Sequence, residues 1–136
     1  MSDRHIILGT EALTGGKPAY SSAVVAGDTI YVAGHVSGRD AQGQVIGKGD
    51  IEAQAIAVYE GLKRTLTECG AGFGDITKVT VYATKLEYRA KIGEIRQRYI
   101  SQPPPASTFV VVSSLADPDF LVEIEAVAVL ARNLAR

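Results

Sequence analysis

The run Leu121–Ala131, LVEIEAVAVLA, constrains the fold more than any other part of the chain. It is β-branched and apolar, holds neither Gly nor Pro, and predicts a strand. Side chains alternate along a strand, so Val122, Ile124, Ala126, Ala128 and Leu130 share one face, which must pack on a core. Glu123 and Glu125 point the other way, followed by Val127 and Val129. Two carboxylates then stand roughly 6–7 Å apart on the second face of a strongly hydrophobic strand. A carboxylate taken from water is costly unless it is paired or sits in a wet cleft. Two readings stay open: a salt-bridged pair at the edge of a sheet, or a carboxylate that faces a ligand pocket.

The remaining chain must supply the partners of that strand. Its 136 residues suit one domain, 1–136, with a real core. Apolar residues make up 46% and charged residues 21%, the balance of a globular protein. A net charge of −1 gives no electrostatic footprint for nucleic acid or an anionic membrane. No apolar run approaches the ~20 residues that cross a bilayer, and the first residues lack the apolar core of a signal peptide. Cys69 is the single cysteine, which excludes an intrachain disulfide and a cysteine metal cluster. A cytoplasmic protein is expected.

Periodicity changes several times along the chain. His5–Leu8 reads as a short strand. Ser21–Val25 and Thr29–Ala33 flank Ala26-Gly27-Asp28, a hairpin signal. The glycines at 38, 43, 47 and 49 mark a loop or irregular hairpin. Asp50 reads as an N-cap, and Ile51, Ala55, Tyr59, Leu62, Leu66 and Cys69 follow helical spacing up to a stop at Gly70. Ile76–Thr84 alternates as a strand, with Ile76, Lys78, Thr80 and Tyr82 expected on one side and Thr77, Val79, Val81 and Ala83 on the other. A second helix is expected over Glu87–Ser101 on the stripe Tyr88, Ile92, Ile95, Tyr99, with Gly93 inside it. Arg96 and Arg98 in its last turns suit the helix dipole. Pro103-Pro104-Pro105 ends it, and Ser107–Val112 and Leu121–Ala131 complete the order β-β-β-α-β-α-β-β. This is an α+β fold with two helices on one face of a mixed sheet. Val127 and Val129 on the glutamate side then need cover, which another subunit is expected to supply.

Several segments carry a family resemblance: Pro18–Val24, Gly27–His35, Gln54, Gly70, Asp75–Tyr82, Pro105-Ala106-Ser107 and Val122–Ala128. In this order and spacing they resemble the Rid family, also called the YjgF or L-PSP endoribonuclease family. The resemblance implies a chorismate-mutase-like fold and a homotrimeric barrel with a small-molecule pocket at each subunit interface. Its best-known members are 2-iminobutanoate/2-iminopropanoate deaminases, which hydrolyse imines to a 2-keto acid and ammonia with no metal or organic cofactor.

The chain also departs from that pattern. The deaminases carry an arginine after Pro-Ala that grips a carboxylate, a task suited to a planar guanidinium. Ser107 stands there in this chain, able to donate one hydrogen bond but no charge. The family's Ser-Gly-Gln is Ala33-Gly34-His35, and its helix asparagine aligns with Gly93. Tyr20 and Glu125 match the pocket tyrosine and glutamate.

Glu125 is therefore the expected catalytic acid, with Glu123 structural. His35 is the second candidate, because its near-neutral pKa suits proton transfer, although a hydrogen-bonded structural histidine is equally compatible. Tyr20, Ala33, Gly34, Gly93, Ser107 and Thr108 are the expected substrate-binding positions. Arg39, Arg89 and Lys17 are candidates to replace the missing cation. Cys69 reads as core packing and His5 as surface; two histidines without a third ligand make no zinc site. Three functions follow in order: a divergent imine or enamine hydrolase, a metabolite-binding module without catalysis, and, last, a ribonuclease.

Overall fold

A computed structural model describes residues 4–7 and 19–130. Six strands form one sheet: β1 (Arg4–Ile7), β2 (Ala23–Ala26), β3 (Thr29–His35), β4 (Ile76–Ala83), β5 (Ala106–Val111) and β6 (Val122–Val129). Among the described residues two α-helices accompany them, α1 (Ile51–Glu68) and α2 (Tyr88–Arg96). The spatial order is β1-β2-β3-β6-β4-β5, so β6 lies inside the sheet between β3 and β4. All neighbours are antiparallel except β4 and β5. A parallel pair needs a crossover, and α2 supplies it. Lys17, and the ends of the expected outer strands at Leu8 and Ala131, lie outside the described residues.

The expected turns and caps form for local reasons. The β2–β3 hairpin closes through Gly27 at φ 62, a backbone angle that costs glycine little. Asp50 caps α1 by accepting from the Ala53 amide at 3.1 Å. At the other end Gly70 has φ 79, and Ala71 N–H returns to the Leu66 carbonyl at 2.9 Å, closing a Schellman motif.

The core lies between the helices and one face of the sheet. Ile30, Val32, Val79, Val81, Val122, Ile124 and Ala126 meet Val58, Tyr59, Leu62, Leu66, Ile92 and Ile95. Burying each large aliphatic side chain contributes about 1.5–3 kcal/mol. Gln54 is the polar member, fully buried. Its amide donates to the Gly47 and Asp119 carbonyls and accepts from Leu121 N–H at 2.8 Å. This ties the loop before α1 to the entry of β6, the strand that carries both glutamates.

Two expectations need correction. The second helix is shorter than Glu87–Ser101 and ends at Arg96. Beyond it the chain tightens into i→i−3 bonds, and Tyr99 stacks on Tyr59 at 5.1 Å while donating to Glu60 at 2.8 Å. That docking draws the tail onto α1 and away from a continued helix. In β4, Ile76 was expected opposite Val79, yet both are core residues. A register shift against β6 between Ile76 and Lys78 inserts one residue and resets the alternation.

Candidate functional site

The sheet face away from the helices carries the acidic residues. Glu125 is exposed and accepts from the Tyr82 hydroxyl at 3.2 Å. Glu123, directly across from Tyr82 in the β4–β6 register, is half-buried. Its carboxyl lies over Gly34: a Cβ built on that glycine would stand 1.9 Å from Glu123 Oε2. Only a residue without a side chain lets the carboxylate settle against β3 here. Loss of hydration, and then the charge of Glu125, push the Glu123 carboxyl above its ordinary range. Lost hydration and the neighbouring Glu125 likewise push the Tyr82 phenol up. The structure thus separates the glutamates differently from the sequence reading. Glu123 is the confined carboxylate with the raised pKa, and Glu125 the solvated one.

His35 does not join them. A register shift between Val32 and His35 turns its ring to the helix side, opposite Ile124. Nδ1 is 2.7 Å from the Ala33 carbonyl, which can only accept, so this nitrogen carries the proton. Nε2 is 2.9 Å from the Thr65 hydroxyl on α1. Burial lowers the His35 pKa; the Ala33 bond opposes that change and Arg64 adds to it. The two catalytic candidates, Glu125 and His35, therefore lie on opposite faces of one sheet, and both His35 ring nitrogens are engaged.

A third group lies at the β5 edge. Ser107 is in register with the core residue Val79, so it faces the helix side. It opens into a groove between β5 and α2 that is also lined by Gly93, Arg89, Arg96 and Phe109. A Cβ on Gly93 would meet nothing within 4 Å. Arg96 Nη1 donates to Ser107 Oγ at 3.3 Å, and the Arg89 guanidinium lies 5.8 Å from the Phe109 ring centroid. The groove continues past Arg96 toward Ser101 and Pro105. Thr108, one residue on, is in register with Thr80 and belongs to the open face instead.

The other candidates separate. Tyr20 is 53% exposed before β2. Ala33 donates its amide to the Ser22 carbonyl at 2.9 Å. Arg39 is paired with Asp117 and lies 5.7 Å from the Phe120 ring, so it is engaged in loop packing. Cys69 is half-buried at the end of α1, its thiol pushed up by burial and by Glu68. His5 pairs with Val25 in the β1–β2 ladder. Sequence reasoning gave Arg96 only a dipole role. Its spacing three residues after Gly93, on one helix face, was the available signal.

The molecule has known relatives. The sequence profile of the family described as endoribonuclease L-PSP matches residues 13–130. A RutC family protein of Pyrococcus abyssi is 40% identical over 109 residues, 80% of this chain and 84% of the relative. A 2-iminobutanoate/2-iminopropanoate deaminase of Rattus norvegicus is 31% identical over 111 residues, 82% of this chain and 80% of that protein. The crystal structure of a YjgF/YER057c/UK114 family member from Mycobacterium tuberculosis superposes with a TM-score of 0.77 at 27% identity, covering 94% of this chain and all of that one.

Proposed function

The chain belongs to the endoribonuclease L-PSP family, also called the Rid or YjgF family, and on that premise we propose that it hydrolyses a small imine or enamine without a cofactor. The observation that carries this reading is Glu123, a half-buried carboxylate laid over Gly34 with its proton affinity raised. A carboxylate so confined, with its pKa raised by lost hydration, can take up and return a proton in a reaction. In the reaction, a water oxygen bonds to the imine carbon as the Glu123 carboxylate takes a proton from that water. The C=N π pair moves onto nitrogen, which receives that proton from Glu123, leaving a carbinolamine and a carboxylate. Glu123 then takes the carbinolamine hydroxyl proton and delivers it to the amine as C=O forms and the C–N bond breaks, so a keto compound and ammonia leave and Glu123 is an anion again.

The site we propose is shared between subunits of a homotrimer. Within one chain Glu123 and Ser107 occupy opposite faces of the sheet, so no single molecule of ligand meets both. A neighbouring copy laid on the open face would bring its β5–α2 groove toward Glu123. Tyr31, 53% exposed, and Val129, 36% exposed, are the apolar surface such a copy would cover. A cytoplasmic location and a one-domain chain remain part of the same proposal.

An amino-acid oxidase that generates an imine in solution provides the test. The protein should speed imine decay, Glu123→Gln should remove about 10²-fold or more of that acceleration, and Glu125→Gln should change it only a few-fold. Full activity in Glu123→Gln ends the proposal for that residue. A second reading, a binding module without catalysis, draws support from the groove at Gly93 and Ser107, where a hydroxyl and the Arg96 cation suit binding rather than proton transfer. A ligand that raises Tm and is recovered unchanged would favour it. Ribonuclease activity ranks last, because a net charge of −1 supplies no general attraction for RNA.

A further inference from the structure

The β5–α2 groove holds a cation whose charge is not otherwise used. Arg96 is half-buried at the last turn of α2. A guanidinium carries five N–H donors and never loses its charge at ordinary pH. Among the described residues, Arg96 makes one hydrogen bond, to Ser107 Oγ, and no ion pair. The acids nearby are otherwise committed or remote. Glu94 is held 2.9 Å from Lys91, which also reaches Glu52 at 3.4 Å. Glu87 lines the groove at the opposite end of α2, nine residues before Arg96. Its remaining N–H donors are open to the groove and can take an anion there.

The Ser107 hydroxyl completes the geometry. It accepts from Arg96 and therefore keeps its own proton for another acceptor. A carboxylate placed against the pair would take one bond from the hydroxyl and one or two from the remaining guanidinium N–H groups. Space for it is present, because Gly93 stands one turn before Arg96 and a Cβ there would meet no atom within 4 Å. The carbonyl end of α2 opposes an anion with about half a charge, less than the full charge of the guanidinium.

We propose that Arg96 and Ser107 form an anion subsite that takes the carboxylate of a small 2-keto or 2-imino acid, the cation arriving from helix α2 rather than from strand β5. The subsite deepens the hydrolytic reading and rests on it for the identity of the reacting group. Arg96 sets which ligands enter, and Glu123 of a neighbouring copy handles the proton.

The test uses the full-length protein and 2-oxobutanoate, a stable carboxylate, with uncharged 2-butanone as its counterpart, both followed by NMR titration. The wild-type chain should bind 2-oxobutanoate, less tightly as salt rises, and should bind 2-butanone at least about tenfold more weakly. Arg96→Gln should weaken 2-oxobutanoate about tenfold or more, Arg96→Lys less, and Ser107→Ala by a few-fold. Arg98→Gln removes the same charge from the exposed tail beyond α2 and should leave binding unchanged. In the Arg96→Gln background, Ser107→Arg should restore affinity, which also shows that the variant is folded. Unchanged affinity in Arg96→Gln, an equal loss in Arg98→Gln, or no binding by the wild type each overturns the subsite. Glu123→Gln separates the two ideas. It should retain 2-oxobutanoate binding while losing imine hydrolysis. Normal hydrolysis by Glu123→Gln would remove the catalytic assignment and leave the subsite standing.

Discussion

The two faces of the sheet are made by the same strands yet hold their charged groups under opposite rules. On the helix-covered face the aliphatic side chains of β3, β4 and β6 are sealed by α1 and α2, and burial lowers the pKa of His35, whose ring nitrogens are both bonded. On the open face Tyr31, Val129 and Glu125 are exposed, and Glu123 is confined by contact with Gly34 and not by a helix. Burial acts on both titratable groups, and it favours the uncharged form of each. The chemical outcomes differ. His35 is locked into structure, whereas Glu123 faces the side on which a ligand and a second copy can approach.

Truncating each face should separate them most strongly. Ile124→Ala, at full burial, should cost about 2–5 kcal/mol in urea denaturation, because it opens a cavity against α1. Val129→Ala on the open face should cost under about 1 kcal/mol within the chain, yet should make Tm depend more steeply on protein concentration if copies associate there. Similar values for the two would remove the distinction between a sealed and an open face.

The two glycines make the next contrast. Gly34→Ala places a methyl where the Glu123 carboxylate lies, and the flexible end of that side chain must move. Imine hydrolysis should fall about tenfold, equivalent to about 1.4 kcal/mol in the barrier, with little change in Tm. Gly93→Ala meets open space in a helix, so thermal unfolding should show a gain of about 0.5–1 kcal/mol. The same methyl should weaken 2-oxobutanoate binding if the carboxylate uses that space.

The smallest expected effect is a difference in the sign of the pH dependence. The folded pKa of His35 lies below the ordinary 6.5, so the stability linked to it is present above 6.5 and lost as pH falls through the folded value. The folded pKa of Glu123 lies above the ordinary 4.5, so its contribution is full below 4.5 and lost as pH rises through the folded value. Profiles of Tm against pH should flatten on the acidic side of 6.5 in His35→Gln, and just above 4.5 in Glu123→Gln. The same change in both variants would show that the two faces titrate as one.

Much of this arrangement was legible from the amino-acid order. The alternation Val122–Ala128, the helical spacing from Ile51 to Cys69, the cap at Asp50 and the stop at Gly70 each depend on contacts within a few residues, and each formed where expected. The sequence also placed two carboxylates on the face away from the core. It could not say which of them would be confined, because that depends on Gly34 of β3 lying across from Glu123 in a strand distant along the chain. Nor could it orient His35 or Ile76. One inserted residue in the β3–β6 ladder, and another in the β4–β6 ladder, reverse the alternation that a strict period of two predicts. The meeting of Arg96 with Ser107 is likewise a product of the crossover that lays α2 along β5. Local periodicity is written into the chain by the geometry of one strand or one helix. Register, bulges and groove walls arise only when distant segments share hydrogen bonds and volume, and these decided which of the charged residues face one another.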